Sequence, residues 1–218
     1  MLSELYILPI LLFSVIVHEI CHGYAALKLG DPTARDMGRL TLNPIPHIDL
    51  VGSIIVPLFS LLMAGQILIA WAKPVPVNPM NLSNYRRDNV IVSSVGPISN
   101  LMMAIACSII TIFLLKISPL VGGVSPKFIE FLLRMFSGGI YLNVMLGIFN
   151  LIPIPPLDGS HVLSAFLPDE AAETYSRVGF AGILLIIFLM RVPAFHEAFN
   201  ATIQFFYAPL YQLVVSFA

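Results

Sequence analysis

Residues 5–29 read LYILPILLFSVIVHEICHGYAALKL. The first charged residue inside this run is Glu19, flanked by His18 and His22, and all three lie well within the apolar stretch rather than at its edge. About 20 apolar residues in a helix cross a bilayer, so the run is expected to span and to carry ionisable groups inside the span. A charged residue at mid-membrane costs about 3 kcal/mol on insertion scales, and a cluster of ionisable groups there points to function before packing.

The spacing sharpens this. His18-Glu19-x-x-His22 places two imidazoles four residues apart, which on a helix is about 40° and 6 Å, so both can reach one ion. Glu19 lies about 60° from His22 on the helical wheel, beside an open coordination position rather than in it. Catalytic zinc takes three protein ligands plus a water whose pKa it lowers to about 7, and a neighbouring carboxylate can take that water's proton. His18 and His22 are therefore candidate ligands and Glu19 a candidate general base. The alternative is a set of polar groups hydrogen-bonded inside a helix bundle.

Composition supports the membrane setting. Of 218 residues, 58% are hydrophobic and 11% charged, and mean hydropathy is +0.91, whereas soluble domains carry about 25% charged residues. The net charge is −1, with no basic patch, which excludes nucleic acid as a partner. Cys21 and Cys107 sit in apolar runs and imply no disulfide framework. The N-terminus has no basic region ahead of its apolar run, so no cleaved signal peptide is expected.

Further spans are expected at about 89–115, 130–152 and 175–192, with apolar stretches at 50–72 and 198–218. The fold class is an all-α polytopic membrane protein, a bundle of about four to six transmembrane helices with short extended or β pieces. Lys28, Arg35 and Arg39 follow the first span and no Lys or Arg precedes it, which puts the N-terminus outside and the end of that span in the cytoplasm. If 50–72 crossed fully, Lys73, Arg86 and Arg87 would lie outside, against the same rule. A re-entrant element at 50–72, interrupted by Gly52, Pro57 and Gly65, is the expected solution. The connections 30–49 and 73–88 are rich in Pro, Asn and Gly and are expected as loops or short strands. No connection is long enough for a separate soluble domain, so residues 1–218 are expected to form one membrane-embedded domain, with a core at about 10–165 and accessory helices at about 171–218.

Two histidines need a third ligand, and NLIPIPPLDGSHVL offers Asp158 directly after an uncharged run that ends in Pro153, Pro155 and Pro156. With 50–72 re-entrant, two crossings bring Asp158 back to the side where the first helix ends. Positive-inside counting and closure of a metal site thus select the same topology. An Asp-Gly pair is also a common turn.

HEICHGY, GRLTLNP, HID, GPISN at 96–100 and NLIPIPPLDG, taken in order, resemble the site-2 protease family of intramembrane zinc metalloproteases over roughly residues 10–165. The resemblance implies a zinc ion held by His18, His22 and Asp158, water activation by Glu19, and a supporting role for Asn150 near the reacting carbonyl. A helix–helix hydrogen bond is the other explanation for Asn150. Ser160 stands where a second glycine is frequent in the family, which puts the local backbone in question, and there is no room for the PDZ domain of some members.

The remaining polar residues have ordinary explanations. Cys21 is expected to pack rather than ligate, His161 to find a hydrogen-bond partner rather than replace Asp158, and His47 and His196 to sit at the interface. Asn100 can hold helices together, and Gly96 with Pro97 can open space for substrate or for helix packing. The expected activity is hydrolysis of peptide bonds in or near transmembrane segments of membrane proteins, in a bacterial plasma membrane with the site toward the cytoplasm. A metal or proton transporter and a catalytically silent regulator are the alternatives.

Overall fold

A computed structural model of the chain describes residues 6–55, 59, 72–118, 125–179 and 181–217. Its helices are α1 (Ile7–Lys28), α2 (Thr33–Asp36), α3 (Tyr85–Ile117), α4 (Pro126–Asn150), α5 (Asp158–Ser164), α6 (Asp169–Ser176), α7 (Ala181–Leu189) and α8 (Pro193–Val215). Helices α1, α3 and α4 are long and apolar enough to cross a membrane, and the bent pair α6–α7 makes up to four. The chain is an all-α membrane protein.

Helix α3 stands at the centre, packed against α1, α4, α5 and α8. Its polarity is inverted relative to a soluble helix. Ser93, Ser99, Asn100, Ser108 and Thr111 are buried, while Ile98, Met102, Ile105, Ile109 and Phe113 form an exposed stripe. Hydrocarbon cannot hydrogen-bond, so polar groups turn inward and find partners there. Ser108 and Thr111 donate to the carbonyls of Ala104 and Cys107. Ile10, Cys107, Ile140 and Val214 form one apolar cluster joining α1, α3, α4 and α8. Gly139 makes this approach possible, because a Cβ there would lie 2.9 Å from Ile10 Cγ1 and 3.0 Å from Cys107 Sγ.

The stretch expected to cross at 175–192 is broken. Helices α6 and α7 meet at 80°, with Gly179 at φ +47°, a conformation glycine adopts without a Cβ penalty. At nine residues, α7 is about 14 Å long, short of a full crossing. Helix α8, long but carrying His196, Glu197, Asn200, Gln204 and Gln212, packs on α3 and α4 through Ile203.

Residues 56–58 and 60–71 lie outside the described residues, and the expected re-entrant element at 50–72 goes largely with them. Its flanks are described and they meet: Lys73 N donates to His47 O at 2.9 Å. The backbone on either side of residues 48–72 is therefore joined by one hydrogen bond. Leu50–Ile55 begins this stretch as a short π-helix.

No strand occurs among the described residues. The extended piece at 73–78 contains Pro74 and Pro76, which lack the N–H a ladder needs. Side chains bind its backbone instead. Arg39, 5% exposed, donates through Nη2 to the carbonyls of Lys73 at 2.7 Å and Pro74 at 3.2 Å. Asp31 Oδ2 accepts from Asn78 N at 2.6 Å, and Asp31 Oδ1 from Asn81 Nδ2 at 2.8 Å. His47 is buried rather than interfacial, its Nε2 donating to Thr41 O at 2.9 Å. His196 is exposed on α8.

Candidate metal centre

His18 and His22 project from the same side of α1 into the space between α1, α3 and the start of α5. Outside this space, His22 Nδ1 lies 2.6 Å from Val92 O. A carbonyl only accepts, so Nδ1 carries the proton and Nε2 is left with a lone pair. His18 Nδ1 likewise lies 2.6 Å from Asn100 Oδ1. The two Nε2 atoms turn inward, 3.0 Å apart.

Asp158 completes the group. The prolines of 153–156 end regular helix after α4, and Asp158 opens α5. Gly159 is what lets α5 start so close to the end of α4: a Cβ there would overlap Leu151 O and lie 2.8 Å from Ile152 O. Ser160 needs no such room. It is buried and its hydroxyl donates to Leu157 O at 2.6 Å, so serine fits where a second glycine is common.

His18 Nε2 lies 3.1 Å from Asp158 Oδ2, and His22 Nε2 lies 3.4 Å from Asp158 Oδ1. With both Nε2 atoms bare these are approaches of acceptor to acceptor, and Oδ2 is buried without a hydrogen-bond partner. Such a cluster repels itself unless a cation, or failing that a proton, sits in it. One ligand atom from each of His18, His22 and Asp158 falls within 4.8 Å of the others, and ligands on a tetrahedral zinc stand about 3.3 Å apart. Two neutral imidazoles, one carboxylate and a vacant direction are the donor set of catalytic zinc. Gly96 forms the floor: a Cβ there would overlap His22 Nε2 and lie 2.7 Å from His18 Cε1. The glycine of GPISN makes room for the imidazoles themselves rather than for helix packing alone.

Glu19 is half-buried and its Oε2 accepts from Val75 N at 2.7 Å. Among the described residues nothing hydrogen-bonds Oε1. Asn150, at the end of α4, donates to Leu146 O of its own helix at 3.0 Å, neither crossing to another helix nor joining the group. Cys21 and His161 are also outside it, Cys21 half-buried and His161 exposed. No motif singles out Asn143, fully buried on α4 and bonded to Asn100. Its only signal was an amide within an uncharged apolar run, seven residues before Asn150.

The architecture is thus a membrane helix bundle around a two-histidine, one-carboxylate centre that suits a hydrolytic metal. The model of peptidase family M50 matches residues 121–189, which include Asp158. YwhC of Bacillus subtilis, named as a zinc metalloprotease, is 37% identical over 86% of this chain and 81% of its own. Rip2 of Mycolicibacterium smegmatis, also named as a zinc metalloprotease, is 27% identical over 90% of this chain and 70% of its own. Rip2 of Mycobacterium tuberculosis is 25% identical over the same shares. No solved structure matches. The chain belongs to peptidase family M50, the site-2 protease family. It is a zinc-dependent metalloprotease of the membrane, and neither the fold nor these relatives favour a transporter.

Proposed function

We propose that this protease hydrolyses peptide bonds in or near transmembrane segments of membrane proteins, with His18, His22 and Asp158 as zinc ligands and Glu19 as general base. The observation that carries this is the convergence of two imidazole lone pairs and one unpartnered carboxylate oxygen beside Gly96, within the bundle rather than on a soluble face. When bound, zinc supplies Lewis-acid polarisation and a water acidic enough to lose its proton near neutral pH.

The chain's own residues do the rest. Glu19 takes the proton on Oε1 while the Val75 amide holds Oε2, then returns it to the leaving nitrogen. The indole-free, apolar outer faces of α1 and α3 meet lipid, so a substrate arrives as a membrane segment. Its carbonyls are engaged in helical hydrogen bonds until it unwinds. Along α1 the two histidines lie about 9 and 15 Å from Lys28, which the Lys and Arg distribution assigns to the cytoplasmic side. The bacterial relatives favour a bacterial plasma membrane. Residues 1–218 act as one domain, with α6 to α8 as accessory helices. Asn150 would support the reacting carbonyl only once its amide leaves Leu146 O.

Purified protein with a single-span substrate provides the test. Glu19→Gln is expected to lower cleavage by about 10²–10⁴-fold with zinc retained, as counted by metal analysis. Cleavage at the wild-type rate in that variant would overturn the role of Glu19, and zinc bound equally by His22→Ala and Asp158→Asn would overturn the ligand set.

A further inference from the structure

Asn143 is fully buried in the middle of α4, and its Nδ2 donates to Gly139 O at 2.9 Å. Its Oδ1 accepts from Asn100 Nδ2 at 3.2 Å, and Asn100 Oδ1 faces His18 Nδ1 at 2.6 Å. An amide oxygen and nitrogen look alike in outline, and which faces which has to be fixed by the partners. Here the fixing begins at one end. A backbone carbonyl has no proton to give, so Asn143 must turn its nitrogen to Gly139. Its oxygen then faces Asn100, which must answer with nitrogen, and the oxygen of Asn100 is left for His18. His18 must then be protonated at Nδ1 and bare at Nε2.

We propose that Asn143 and Asn100 are positioning residues that set the tautomer of His18 through this one-way relay, rather than amides that merely join α3 to α4. The relay rests on His18 being a zinc ligand, as proposed above. His22 reaches the same state in one step through Val92 O. Among the described residues no backbone carbonyl hydrogen-bonds the outer nitrogen of His18, and the two amides carry the polarity of Gly139 O to it across two helices. In a ligating histidine the hydrogen bond at the other ring nitrogen selects the metal-binding nitrogen and orients the ring.

Asn143→Leu keeps the branched outline of the side chain and removes the direction, since the Asn100 amide is then free to present nitrogen to His18. In full-length protein in detergent, zinc affinity measured by chelator competition is expected to fall about 10–100-fold, with a weakened Co²⁺ absorption band. Adding Asn100→Asp to Asn143→Leu is expected to restore most of the loss, because a carboxylate has no donor face and accepts from Nδ1 in either orientation. Wild-type affinity in Asn143→Leu, or a loss that Asn100→Asp leaves unrelieved, would overturn the relay, since a purely packing role predicts no such rescue. A second measurement needs no variant: ¹⁵N NMR of metal-free wild type, at a pH where both imidazoles are neutral, is expected to show the His18 proton on Nδ1, and a proton on Nε2 refutes the proposal. If instead wild type binds no zinc, or His22→Ala binds it equally, the ligand assignment itself fails and the relay falls with it.

Discussion

A methyl group is the smallest change that tests the metal centre. Gly96 faces both imidazoles, and a Cβ there overlaps His22 Nε2. The obstacle is a ring already fixed at its far nitrogen by Val92 O, so it has no low-cost retreat. Gly96→Ala is expected to lower zinc affinity at least about tenfold, in the range seen when the support of a ligand is disturbed, with helix content unchanged by circular dichroism. At Asp31 the issue is charge. This carboxylate is buried outside the spans; burial works against its ionisation, but hydrogen bonds from Thr33, Asn81 and Asn78 outweigh that and hold its pKa below the usual carboxylate range. A depressed carboxylate contributes stability that is present above its unfolded pKa and lost as pH falls toward the folded one. Asp31→Asn turns an NH₂ toward the Asn78 amide and is expected to cost about 1–3 kcal/mol at neutral pH. Thermal unfolding followed down through pH 4 is expected to fall less steeply in the variant than in the wild type.

At the scale of elements, what was legible in the sequence followed local periodicity. The first span and its His-Glu-x-x-His face could be read because both candidate ligands share one helix, and Asp158 because it follows an apolar run broken by prolines, as a residue returned to the bundle would. Groups whose partners come from distant loops could not be read. His47 is buried because Lys73, 26 positions later, bonds to its carbonyl, and nothing in its own neighbourhood announces that. Asn143 is the same case across helices: which face of α4 meets Asn100 depends on the packing of α3 on α4, set by small residues such as Gly147, where a Cβ would be 3.0 Å from Pro97 O. The connections 30–49 and 73–88 were expected as loops or short strands, and at 73–78 the loop prevails because Pro74 and Pro76 lack ladder donors and side chains bind the backbone instead. The accessory helices also act locally on the site. Tyr175 of α6 donates to Pro153 O at 2.7 Å, and Gly182 of α7 sits against Pro155 O so closely that a Cβ would overlap it, so both brace the loop that delivers Asp158.

For the molecule as a whole, the inverted polarity of α3 explains why a chain with so few charges holds a polar centre: lipid takes the apolar stripe, and the interior is left for groups that need one another. The bond from Lys73 N to His47 O has a different kind of consequence. An N–H bonded to the carbonyl three residues earlier is what closes a β-turn, so a two-residue bridge such as Asn-Gly in place of residues 48–72 would rebuild this junction as an ordinary reverse turn. Such a shortened chain is expected to fold and bind zinc with wild-type stoichiometry by metal analysis, and its rate on a membrane substrate would then measure what the excised stretch contributes. On this account the hydrogen bond between His47 and Lys73 is a clasp at the base of residues 48–72, and the shortened chain tests whether metal binding depends on what lies beyond it.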